Sequence, residues 1–136
     1  MTLAMKTRRA SCSCGQLTAV TQGEPGRVSI CHCLACQRRT GSVFGVQARF
    51  SRDRVHIEGT SKEWVRIADE GSKVAFHFCP LCGSKVYYAV AGYDEGSIAI
   101  PVGAFAEPDF PAPIFSVYEE RMHSWIGLPP DVEHMQ

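Results

Sequence analysis

Along most of the chain, apolar and polar positions alternate in short runs rather than forming helical stripes. Gln16 to Thr21 alternates and is bounded by glycine. Runs rich in Val, Ile, Phe and Trp follow at Val28 to Cys33, Val43 to Phe50, Val55 to Glu58 and Glu63 to Ala68. Val74 to Phe78, Lys85 to Val90, Ser97 to Val102 and Ile114 to Tyr118 continue the series. Turn residues stand between them: Gly23-Glu-Pro-Gly26, Gly59, Gly71, Gly83, Gly92, Gly96 and the stretch Pro108 to Pro113. A period of two over a few residues, punctuated by glycine and proline, is the pattern of strands and tight turns. It predicts a mainly β domain with helix only in short pieces, the best of them Leu34 to Arg39. The stretch after Trp125, with Pro129-Pro130, predicts a loosely packed tail.

Composition narrows the class without naming it. With 136 residues, 45% hydrophobic and 21% charged, the chain fits one globular domain with its own core. Lys plus Arg balances Asp plus Glu at 14 each, so there is no electrostatic footprint for nucleic acid or anionic lipid. Arg38 with Arg39 is the obvious place for a small basic patch. The N-terminal MTLAMKTRRASCSC has basic residues with no apolar run behind them, and no stretch approaches the ~20 residues that span a bilayer. A cytoplasmic protein is expected.

The chemistry-bearing residues are the seven cysteines. Their spacing is tight: Cys12 and Cys14; Cys31, Cys33 and Cys36; Cys79 and Cys82. An odd number cannot pair completely, and a reducing compartment disfavours disulfides, so the pattern points to metal. Residues two apart on an extended strand share a face, so Cys12 and Cys14 can converge on one ion. Cys79 and Cys82 have knuckle spacing, followed by Gly83 for the tight turn. Together these four make a closed, structural zinc site. Cys31 and Cys33 again share a face, Cys36 follows at knuckle spacing, and His32 between them points away. Three ligands with one position open is the arrangement of a catalytic zinc. Closure by a distant His56, His77 or His123 stays open as an alternative, as do three empty thiols. An iron–sulfur cluster is also possible, although C-x-C is atypical of ferredoxin spacings.

The cysteine order is recognisable. C-S-C-G at Cys12 to Gly15, I-C-H-C-L-A-C-Q-R-R-T-G-S at Ile30 to Ser42 and F-C-P-L-C-G-S at Phe78 to Ser84 resemble the glutathione-dependent formaldehyde-activating enzyme family, which includes the centromere protein V-like domains. Pro113-Ile-Phe through Ser124-Trp125 is similar to the family's closing strand. The resemblance runs from about residue 8 to 128, leaving 129–136 as a C-terminal tail. It implies an Mss4-like, zinc-stapled β fold. It implies a structural zinc at Cys12, Cys14, Cys79 and Cys82, and a second zinc at Cys31, Cys33 and Cys36, where glutathione chemistry is placed. It also implies a carbon–sulfur lyase that condenses formaldehyde with glutathione to S-hydroxymethylglutathione.

A mechanism follows from the open position. A thiol or water accepted there has its pKa lowered and becomes an anionic nucleophile near neutral pH. The ion, or a nearby donor such as Arg38, is expected to steady the alkoxide that develops on an attacked aldehyde. Three thiolates outweigh the charge of the ion, so this zinc is a weaker Lewis acid than a three-histidine one. Partners are therefore expected to be small thiols and aldehydes. The competing reading is a non-catalytic zinc-stapled module that binds a protein or nucleic acid.

Overall fold

The computed structural model describes residues 5–91 and 96–135. Gly92 among the turn signals, the first four residues of the N-terminal segment and Gln136 of the tail lie outside them. The elements in chain order are β1 (Thr7–Ser11), β2 (Thr18–Gln22), β3 (Arg27–Cys31), α1 (Leu34–Thr40), β4 (Gly45–Ser51), β5 (Val55–Glu58) and β6 (Lys62–Ile67). They continue with β7 (Lys73–Phe78), β8 (Lys85–Ala91), β9 (Ser97–Pro101), β10 (Phe115–Val117) and β11 (Glu133–Met135). A small sheet runs β1-β2-β5 and a large one β11-β10-β3-β4-β9-β8-β7-β6. Neighbours are antiparallel except around β10, which runs parallel to both β3 and β11.

The two sheets close on one apolar layer, and strand alternation decides what enters it. Ala10 and Ala19 come from the small sheet; Val28, Ala48, Phe50, Ile98 and Ile100 come from the large one. The intervening residues of the large sheet turn to its other face. There Trp64, Phe76, Tyr88, Ala99 and Arg49 lie in one cross-strand row. Cys31 shares this outer face with Ser29, and Gln47 Nε2 donates to Ser29 Oγ at 3.2 Å.

Two strands were not anticipated. β1 reads TRRAS, yet Arg8 is only 3% exposed. Its guanidinium pairs with Glu24 at 2.7 Å and Glu107 at 3.4 Å, and lies 4.9 Å over the Phe110 ring. A charged residue thus occupies a position that the apolar pattern would leave to solvent. The second is β11, which corrects the expectation of a loose tail. It adds in parallel to β10, Val132 before it is buried, and Arg27 reaches Met135 Sδ at 3.6 Å.

Candidate metal centres

The first cysteine group is built by two turns. β1 ends at Ser11, and Cys12 to Gly15 is a tight turn closed by Gly15 N–H donating to Cys12 O at 3.1 Å. Cys12 and Cys14 therefore converge through a turn rather than through strand alternation. The chain from Cys79 repeats the device: Gly83 N–H donates to Cys79 O at 2.8 Å, and Gly83 takes φ +81°, where a Cβ is disfavoured. The four sulfurs lie within 4.8 Å of one another. Cys14 Sγ stands 3.6 Å from both Cys12 Sγ and Cys79 Sγ. That is far beyond a disulfide's ~2.05 Å, and near the ~3.8 Å edge of a tetrahedron with metal–sulfur bonds of ~2.3 Å.

The surroundings favour thiolate at Cys79 and Cys82, whereas burial and the neighbouring sulfurs push Cys14 up to about 11. Cys79 Sγ accepts from Gln16 Nε2 at 2.9 Å and from Leu81 N at 3.3 Å; Leu17 N donates to Cys12 Sγ at 3.3 Å. Backbone donors, first that of Ser84 and then that of Cys14, bring Cys82 down to about 5. The Gln16 amide also accepts from Thr60 N at 2.9 Å and donates to Thr60 O at 2.7 Å, so it ties the site to the loop before β6.

The second group sits where β3 gives way to α1. Cys31 is the last residue of β3, paired with Gly45 on β4. Cys33 is the N-cap of α1, extended at ψ 153°, and its sulfur accepts from Cys36 N at 3.3 Å. One helical turn then brings Cys36 back, and the three sulfurs fall within 4.8 Å of one another. Cys31 is buried, while Cys33 and Cys36 are half-buried. Hydrogen bonds with Cys31 and Cys36 push the Cys33 thiol down; hydrogen bonds with Cys33 and Cys36, together with burial, push Cys31 up. Cys33 is therefore the sulfur that ionises first.

The histidines are engaged elsewhere. His32 is fully buried, with Nε2 3.0 Å from Ser116 Oγ and its ring edge-on to Phe44. His56 pairs with Glu58 at 2.9 Å; His77 bonds Ser61 and stacks on Tyr87 at 4.4 Å; His123 bonds Gln37 Oε1 at 3.2 Å. Among the described residues no histidine, aspartate or glutamate joins either group.

Arg38 is exposed, and the guanidinium at the second group belongs to Arg39. Helical geometry explains the difference between the two arginines. Arg39 is three residues beyond Cys36 and shares its face, whereas Arg38, two residues beyond, points about 200° away from it. Arg39 Nη2 donates to Cys36 Sγ at 3.5 Å, and its guanidinium lies 5.2 Å over Phe76 and 5.4 Å over Tyr88. Gly45 makes room: a Cβ there would stand 3.1 Å from Arg39 Nη2 and 3.5 Å from Cys36 Cβ. Sequence reading missed Arg39 and Gln16 as supports; the i, i+3 spacing from Cys36 was the available signal for Arg39.

No helix among the described residues is long and apolar enough to cross a membrane. Among solved structures, a crystal structure of a Rhodobacter sphaeroides protein from a structural genomics programme is similar in fold, with a TM-score of 0.54 at 16% identity over 71% of this chain and 85% of that one. A search of curated proteins gives no match. The model of the glutathione-dependent formaldehyde-activating enzyme family matches residues 7–121, spanning both cysteine groups and the sheets that carry them, and the chain belongs to that family.

Proposed function

We propose that Cys12, Cys14, Cys79 and Cys82 hold a structural zinc, that Cys31, Cys33 and Cys36 hold a second, and that the second site adds the thiol of glutathione or a similar molecule to formaldehyde. The observation that carries this is the asymmetry between the groups. One offers four sulfurs; the other offers three, and no further ligand side chain among the described residues. The family to which the chain belongs is described by glutathione-dependent formaldehyde activation, which needs a place for a thiol.

A zinc ion at the second site supplies a Lewis acid and lowers the pKa of a thiol offered to it. The chain's own residues do the rest. Cys31 anchors the group in the sheet, and Cys33 is poised as thiolate by its neighbours. Arg39, fixed over two aromatic rings, places positive charge beside Cys36 and offsets part of the negative charge of three thiolates. The reaction is an addition. A carbon–sulfur bond forms, the carbonyl π bond breaks, and the oxygen takes the proton that the sulfur gave up; nothing is oxidised. A reducing compartment such as the cytoplasm keeps all seven thiols free for this arrangement.

The test is the rate of S-hydroxymethylglutathione formation from glutathione and formaldehyde, with and without protein. The wild type should raise it above the uncatalysed rate and Cys33→Ser should not. A wild-type rate equal to the uncatalysed one sinks the reaction and leaves the non-catalytic module standing.

A further inference from the structure

Between the C-terminal end of α1 and the Cys79–Cys82 turn lies an open cavity of about 270 Å³, bounded by Arg39, Thr40, Gly83, Ser84, Lys85 and Pro101. It touches both cysteine sites. Gly83 and Ser84 belong to the turn of the first, and Arg39 reaches Cys36 Sγ of the second at 3.5 Å. Two of the six bounding residues are cations and none is acidic.

We propose that this cavity is a carboxylate subsite, holding an acidic thiol by its carboxylate beside Lys85 with its sulfur directed to Cys31, Cys33 and Cys36. This rests on the reading of the second group as the place of thiol chemistry.

Three features support it. First, a helix C-terminus would ordinarily repel an anion through its bare carbonyls, but here those of Cys36, Gln37 and Arg39 have donors. Thr40 Oγ1 donates to Cys36 O at 2.9 Å, Gly41 N to Gln37 O at 2.9 Å, and Lys85 Nζ to Arg39 O at 3.5 Å. Second, Lys85 is half-buried and its Nζ lies 3.5 Å from Arg39 O, so its charge stands at the cavity rim before a ligand arrives. Third, whole small ligands occupy pockets of about 300–1,000 Å³. A smaller, open, cationic cavity suits one end of a substrate whose other end lies beyond Arg39.

The probe is S-methylglutathione, whose sulfur is blocked, with its dimethyl ester as the uncharged control. Binding to the metal-bearing full-length protein is read by calorimetry. S-methylglutathione should bind saturably, the diester at least tenfold more weakly, and Lys85→Gln should weaken the acid by about tenfold or more, as for a lost charged hydrogen bond. Lys85→Arg, which keeps the charge, should retain most of the affinity. Equal binding of acid and diester to the wild type overturns the subsite, and this comparison needs no variant to fold. Unchanged affinity in Lys85→Gln overturns it as well. The two readings fail separately. Carboxylate-dependent binding without catalysed addition upholds the subsite and sinks the reaction; catalysis with equal affinity for acid and diester does the reverse.

Discussion

The two cysteine groups use similar local turns for opposite ends. Cys14 and Cys79 are 65 positions apart, so the first group ties the N-terminal turn to the middle of the chain. The second draws Cys31, Cys33 and Cys36 from a single strand-to-helix junction. An ion in the first constrains a long loop, whereas one in the second constrains almost none. The supports differ in the same sense. Gln16, Leu17 and Leu81 aim neutral N–H donors at the sulfurs of the first. The second is faced by a cation, Arg39. Loop length and the charge of the supporting donors therefore divide the two groups along the same line as ligand count.

The hardest test of that comparison is a pair of substitutions. Apparent zinc binding in small structural sites contributes about 10–16 kcal/mol, against a net domain stability of about 5–15 kcal/mol. Cys79→Ser should therefore unfold the protein or leave it insoluble. Cys33→Ser should melt near the wild type, hold about one zinc fewer per chain and lose thiol-dependent activity. Thermal melts with metal analysis decide. Equal collapse of both variants would make the second site structural and remove the distinction.

A substitution away from any ligand comes next. Gly59 takes φ +98°, and a Cβ there would overlap the main-chain carbonyl of Gln16. Gly59→Ala combines left-handed strain with a backbone clash, together costing about 2–5 kcal/mol. Because Gln16 holds Cys79 Sγ, the damage should fall on the four-cysteine site. The melting temperature should drop by roughly 10 °C, with zinc released from the first site before the second. Loss from the second site first would break the assignment of Gln16.

At the second site the corresponding change is Arg39→Gln. Supporting residues around a metal site are worth about 10–100-fold in affinity. The variant should lose zinc from the three-cysteine site to a competing chelator at that increased ease, with the melt nearly unchanged and Arg39→Lys intermediate. If chelation behaves as in the wild type, Arg39 serves packing against Phe76 and Tyr88 and nothing more.

How legible this was depended on the range of the interaction. The strands at Val43 to Phe50 and Ser97 to Val102 showed in the sequence because each presents apolar residues at period two toward one layer. The metal groups showed because knuckle spacing is local. β1 did not show, because Arg8 is buried by Glu24, Glu107 and Phe110, partners that lie far along the chain. β11 did not show, because Glu-His-Met has no apolar alternation and is held by parallel pairing to β10. The choice between Arg38 and Arg39 was available from helical period but was not drawn. The cavity beside Lys85 needs α1 and the Cys79–Cys82 turn brought together, which no local pattern encodes.

The smallest expected effect concerns what holds the second site from behind. Ser116 bonds His32 within the strand-to-helix junction. Glu119, following β10, accepts from Ser116 and from His134, and these two donors, Ser116 first, hold its carboxyl below the ordinary range. A depressed carboxylate keeps its charge to lower pH in the fold than in the unfolded chain. Its stabilisation is therefore whole above the ordinary carboxylate range and is lost as pH falls through the folded value. Glu119→Gln should lower the melt by a few degrees near neutral pH. The difference from the wild type should shrink as pH falls below about 4 and then vanish. Acid loss of zinc affects both proteins and cancels in the difference. A gap that stays constant into acid would mean that Glu119 acts through shape rather than charge, and that the second site's support, unlike Arg39 in front of it, is electrically neutral.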